Sequence, residues 1–271
     1  MQARERYLPD PNRIGVLAAA VLLTYALARL ANAPGYTVSI QLPGFYFSYP
    51  FTLGTAMTIV AAGLTASGMD WLLRAHPALE GRSTLEHWLL PALSAFILGV
   101  LLDGLPPGTV WWAGFVVGSG ILILVFLAEY VAVDPGAPTY ALASAGLIAL
   151  SYTLFLLFII ALQFSQVRLF LMLPAVFLAA ALVTLRTLHL RLGGRWEFPW
   201  ALGIGLISAQ LSAGLHYWPL TALQQGLILL GPLYSLTALA YSVSQDVPIR
   251  SAFADPAIIL GGPWAAAIFL R

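Results

Sequence analysis

Eight blocks of apolar residues, each about 18 or more long and separated by short polar stretches, leave this chain little choice of fold. The hydrocarbon core of a bilayer is about 30 Å thick, and a helix rising about 1.5 Å per residue crosses it in about 20 residues. The blocks cover about 14–32, 51–73, 85–102, 110–131, 140–162, 169–188, 200–220 and 223–243. Lipid offers backbone N–H and C=O groups no water, so a block that crosses it must close its own hydrogen bonds as a helix. The expected fold is therefore an all-α integral membrane protein, a bundle of about eight transmembrane helices. Composition agrees: 8% of residues are charged, against roughly a quarter in soluble domains. That is too few to coat a surface facing water, and 1–271 reads as a single transmembrane domain.

The segments between and beyond the blocks have their own signatures. The first block follows Arg4, Arg6 and Arg13 and precedes Ala31-Asn32-Ala33, which has the small-x-small look of a signal cleavage site; Pro34 and Arg29 argue against cleavage, so it is taken as the first span. Thr37 to Thr52 alternates apolar and polar residues on both sides of Pro43-Gly44, the pattern of a short extracytoplasmic β-hairpin. Ser83 and Glu86 have the spacing of a capping box at the start of the third helix. Residues 256–271 are apolar but short and interrupted by Gly261-Gly262-Pro263. They read as an interfacial or re-entrant segment, or else as a short, distorted ninth span.

Orientation follows from arginine, because all twelve basic residues are Arg. With the N-terminus in the cytoplasm, Arg4, Arg6, Arg13, Arg74, Arg82, Arg186, Arg191, Arg195, Arg250 and Arg271 lie inside, and only Arg29 and Arg168 outside. Trp71, Trp88, Trp111, Trp112, Trp196, Trp200 and Trp218 fall near span ends, where indole suits the interface. One loop departs from the rule: the connection after the fourth span is assigned inside, yet it carries Glu129 and Asp134 and no Arg.

The seventh block is the one around which the others are expected to gather. On a helix, Ala201, Gly205, Ser208, Ala209, Ser212 and His216 share one face; Gly203, Ile207, Gln210, Gly214 and Tyr217 share roughly the opposite one. Helices in lipid associate through small residues that let backbones approach and through occasional polar groups. Neighbours are thus expected on both faces, with Gln210 in an interhelical hydrogen bond. Gly114 and Gly118 form a similar packing strip on the fourth span.

Few residues invite chemistry. The absence of cysteine removes disulfides and thiolate sites, and the absence of lysine removes Schiff-base cofactors such as retinal or pyridoxal. A net charge of +1 points to neither nucleic acid nor an acidic partner. Asp70, Glu86, Asp103, Glu129 and Arg168 all stand within a turn or two of span ends, where they reach water or headgroups. His76, His87 and His189 fall on the cytoplasmic side near Asp70, Glu80 and Glu86 and are the weak candidates for a metal site, but they match no ligand spacing; no cofactor is expected. Ser119 and Ser67, in Gly-Ser-Gly and Ala-Ser-Gly, are crude matches to an intramembrane nucleophile that would need a histidine such as His216.

The segments DWLLRAHP at 70–77, HWLLPAL at 87–93, AEYVAVDP at 128–135 and LHYWPL at 215–220 resemble a family of bacterial multi-spanning membrane proteins catalogued only as a domain of unknown function. The resemblance implies a multi-pass protein of the bacterial cytoplasmic (inner) membrane and transfers no activity or site residue. Three roles follow from the sequence. The first, and the one expected, is a non-catalytic accessory subunit or assembly factor, whose partners are the lipid bilayer and other membrane subunits; the other two are alternatives. The second is a binder or carrier of a small apolar or lipid molecule, using a groove beside the seventh helix. The third is an intramembrane enzyme.

Overall fold

The apolar blocks become helices because nothing within them competes with the backbone ladder and polar residues stand where the ladder stops. The computed structural model describes residues 9–31, 35–42, 45–79, 83–165, 167–248 and 254–269. Helix α1 (Pro11–Leu30) opens with the Asp10 carboxylate accepting from the Asn12 N–H at 2.9 Å and with Pro11 at its first position, where a missing N–H is harmless. Strands β1 (Tyr36–Leu42) and β2 (Phe45–Phe51) pair antiparallel, Tyr36 opposite Phe51 and Leu42 opposite Phe45, as their alternation predicts. Pro43 and Gly44 lie outside the described residues. Helix α2 (Leu53–Leu73) follows, capped by the Thr52 hydroxyl on the Thr55 N–H. Then come α3 (Leu89–Asp103), α4 (Thr109–Ala132), α5 (Tyr140–Phe164), α6 (Leu169–Arg191), α7 (Phe198–Leu215), α8 (Ala222–Ser244) and α9 (Ala254–Phe269).

Two helix starts differ from the reading of the sequence. Ser83 and Glu86 form no capping box: a 3-10 turn, Leu85–His87, precedes α3, Ser83 Oγ accepts from the Leu85 N–H, and Glu86 faces His87. The box forms instead at Thr221 and Gln224, where each side chain accepts from the other's backbone N–H at the start of α8. In both places the short polar side chain accepts a hydrogen bond, but at Ser83 a two-residue turn takes it before a helix can.

The chain gathers into two compact units, 1–143 and 144–271. In the first, α2 lies between α1 and α3, and α4 packs on α3 and α1. Val21, Ala61, Met69, Leu72 and Phe126 fill its core, and Tyr25 donates its hydroxyl to the Ala95 carbonyl at 2.6 Å. Close approach is paid for in side chain: a Cβ on Gly118 would collide with Leu98, and one on Gly114 would come within 2.7 Å of Leu105.

In the second unit α6 and α7 are the closest pair of neighbours, followed by α8 and α9. A Cβ on Gly205 would stand 2.9 Å from the Phe177 carbonyl oxygen and 3.1 Å from Ala181 Cβ, so α7 rests on the backbone of α6 there. Ala201, Ser208, Ala209 and Ser212 are buried along the same face. Helix α9 is continuous through Gly261-Gly262-Pro263 and runs antiparallel to α8: Ser235 donates to the Pro256 carbonyl, Trp264 Nε1 to Ile228, and Gln224 Nε2 to Ala267.

Candidate functional site

The opposite face of α7 carries the site, and it is here that the structure corrects the sequence. Among the described residues, a Cβ at Gly203 or Gly214 would meet no neighbouring element within 4 Å. Leu202, Leu206, Ile207, Gln210 and Leu211 are exposed. The Gln210 side chain, expected in an interhelical hydrogen bond, makes none among the described residues. Small residues at helical spacing permit close approach, but only connectivity decides whether a neighbour arrives. Helix α6 takes one strip, α8 shares the core at Ile204 and Leu215 between the strips, and the second strip is left without a helix in this unit.

That open edge forms one wall of a groove of ≈ 680 Å³ completed by α8 and α9. Gln210 and Gly214 face it from α7, Ile228 and Pro232 from α8, and Trp264 and Ile268 from α9. Pro232 stands inside α8 and lines the groove. A proline inside a helix removes the hydrogen bond to the carbonyl four residues back and kinks the chain. The freed carbonyl is that of Ile228, and the indole N–H of Trp264 takes it at 3.2 Å while the ring lies against Gly231. Backbone freed by proline within a membrane span must find such a partner.

The amide of Gln224 is occupied, its oxygen by Thr221 and its nitrogen by Ala267, whereas that of Gln210 is available to a ligand. Gln210 stands twelve residues beyond Phe198, about 18 Å along α7 at about 1.5 Å per residue. The groove therefore combines the size of a small-molecule pocket, about 300–1,000 Å³, with a mostly apolar lining and one free donor-acceptor group.

The titratable residues singled out from sequence assemble differently. Glu129, read as an interfacial loop charge, is completely buried on α4, and its Oε2 lies 2.7 Å from His87 Nδ1. His87 Nε2 lies 3.4 Å from Glu86 Oε1. Both ring nitrogens thus face carboxylates, so the imidazole is engaged in holding α4 to the start of α3. His76 packs its ring on Tyr130, centroids 4.4 Å apart, and accepts the Ala78 N–H through Nδ1. Asp70 accepts from Thr84 Oγ1 and pairs with Arg74 at 2.8 Å, which ties the polar connection back to α2.

His189 belongs to the second unit, where it stacks with Trp196 at 4.2 Å. Among the described residues no three His, Asp or Glu side chains are grouped as metal ligands, and Glu80 lies outside those residues. Ser119 and Ser67 donate to carbonyls of their own helices, at Phe115 and Gly63, and His216 packs edge-on against Tyr217. Sequence reasoning missed the His87–Glu129 contact, which joins residues 42 apart. The signal in the sequence was a carboxylate standing inside an apolar block rather than between blocks.

Among the described residues, eight helices long and apolar enough to cross a bilayer define the class, a multi-pass α-helical membrane protein. Within it, the chain belongs to the family described as "Protein of unknown function (DUF5656)", whose model matches residues 33–270. No functionally curated protein and no solved structure matches it.

Proposed function

We propose that this protein binds a small apolar or lipid molecule in the groove of α7, α8 and α9, within a cytoplasmic membrane and with its N-terminus inside. The observation that carries the reading is Gln210: a hydrogen-bonding amide without a partner among the described residues, at the edge of an apolar groove of ≈ 680 Å³. An unmatched amide facing lipid is unfavourable, and a ligand with one polar group and an apolar body relieves it. The arginine distribution supports the orientation. The course of α9 along α8 from Ser235 to Gln224 supports a re-entrant or ninth-span path for 256–271 over a surface-lying one.

Native mass spectrometry of protein extracted in mild detergent tests this. Wild type should retain a small molecule that Gln210→Leu and Gly214→Leu lose while their unfolding temperatures are kept. Equal retention by all three removes the groove from consideration. The second reading, an accessory subunit, draws on the same open strip, since another protein's membrane helix set against Gly203, Gln210 and Gly214 would close it. It predicts a stoichiometric polypeptide in the extract, and crosslinks from position 203 or 210 to that polypeptide.

A further inference from the structure

We propose that the second unit holds a separate site for the headgroup of an anionic phospholipid, centred on Arg191 and independent of the groove beside α7. A cavity of ≈ 570 Å³ opens between α5, the end of α6 and α8. Arg191 is the last residue of α6 and lines it, with the guanidinium 5.5 Å from the centre of the Tyr241 ring. Stacking over a ring engages the face of a guanidinium and leaves its edge donors free for an oxyanion.

The charge at this place is unmatched. No residue lining the cavity is acidic, and among the described residues no carboxylate lies within salt-bridge distance of Arg191. The next arginine along, Arg195, is already paired with Glu197 at 2.9 Å. Away from Arg191 the walls are mostly apolar, with Ile148, Leu230 and Pro263, the rings of Tyr152 and Tyr234 meeting edge-on at 4.7 Å, and Ser144 as a further polar residue.

A cation at the end of a membrane helix, opening onto a mostly apolar cavity, fits an amphiphile with an anion at one end and hydrocarbon at the other. Basic pockets between membrane helices recognise anionic lipids on these terms. Guanidinium suits the phosphate because it donates two parallel hydrogen bonds to it. A free phosphate would use the same donors but leave the apolar part of the cavity unused.

The test uses the full chain in detergent, titrated with phosphatidylglycerol, with phosphatidylcholine of the same acyl chains, and with inorganic phosphate. Native mass spectrometry reads retention and thermal unfolding reads stabilisation. Phosphatidylglycerol should be retained and raise the unfolding temperature, and phosphatidylcholine and phosphate should do neither. Arg191→Gln should lower phosphatidylglycerol retention about tenfold, as expected for losing a charge-assisted hydrogen bond, and should unfold at the wild-type temperature without lipid. Ala149→Trp fills the cavity without touching the cation; it should lower retention as well, and it decides the matter if Arg191→Gln does not fold. Unchanged retention in the folded variants overturns the proposal, and equal stabilisation by inorganic phosphate reassigns the site to a free anion. Gln210→Leu should leave phosphatidylglycerol retention as it is, which separates this site from the groove.

Discussion

Glycines 205 and 214 stand nine residues apart on one helix, and the same substitution at each should have opposite effects. At Gly205 a Cβ would lie 2.9 Å from the backbone oxygen of Phe177, so room can come only from moving α6 away from α7. Overpacking a tight contact costs about 1–3 kcal/mol, while replacing a helical glycine returns about 0.5–1 kcal/mol. Gly205→Ala, near the lower cost, should come out close to neutral. Gly205→Leu, near the upper, should lose about 2 kcal/mol, or about 4–8 °C for a chain of this size. At Gly214 nothing lies within 4 Å, so only the gain in helix preference applies and Gly214→Leu should match or slightly exceed wild type. Thermal unfolding in detergent, followed by tryptophan fluorescence, measures both. Equal losses from the two leucines would refute the reasoning, because the second face of α7 would then be packed in the native protein. No loss at Gly205 would refute the α6–α7 contact itself.

Removing one partner of the His87–Glu129 pair should be far more damaging than removing a surface charge. His87→Ala should cost about 1–3 kcal/mol, the range for removing a partner from a buried hydrogen bond, and His87→Leu combined with Glu129→Leu should cost less than the two single leucine variants added together; thermal unfolding of the four variants checks this. Trp264→Phe keeps an aromatic ring against Gly231 but strands the Ile228 carbonyl, a loss of about 1–3 kcal/mol. In a Pro232→Ala background, where the new backbone N–H restores the helical bond to Ile228, the loss should shrink, and a double-mutant cycle measures the difference. Gly194→Cys, in a chain without other cysteine, should react with an impermeant maleimide only from the cytoplasmic side; ready labelling from outside intact cells reverses the topology.

What could be read from the sequence was what is local. A span is a property of about 20 consecutive residues, so the eighth block, read as 223–243, is found as Ala222–Ser244. The hairpin too is written in neighbouring residues, through alternation around Pro43-Gly44. Local patterns failed where the answer lay on another element. The strip of Gly203, Gln210 and Gly214 records a capacity for approach and not a neighbour, and among the described residues a Cβ at Gly203 or Gly214 would meet no neighbouring element within 4 Å. Glu129 looked interfacial because it stands a turn from the end of its block; the His87 imidazole that holds it is supplied by another helix start.

The attachment of α9 bears on how such a binding site could change over generations. Its three polar ties to α8 all end on main-chain carbonyls, those of Ile228, Pro256 and Ala267, and every residue possesses a carbonyl. Substitutions that keep Trp264, Gln224 and Ser235 can therefore alter neighbouring side chains on either helix without undoing the docking. Ile268, which faces the groove, takes part in none of these ties. If the groove binds as proposed, α9 can serve as an exchangeable specificity cassette, retuned for a longer, bulkier or more polar guest while the remaining scaffold stays fixed.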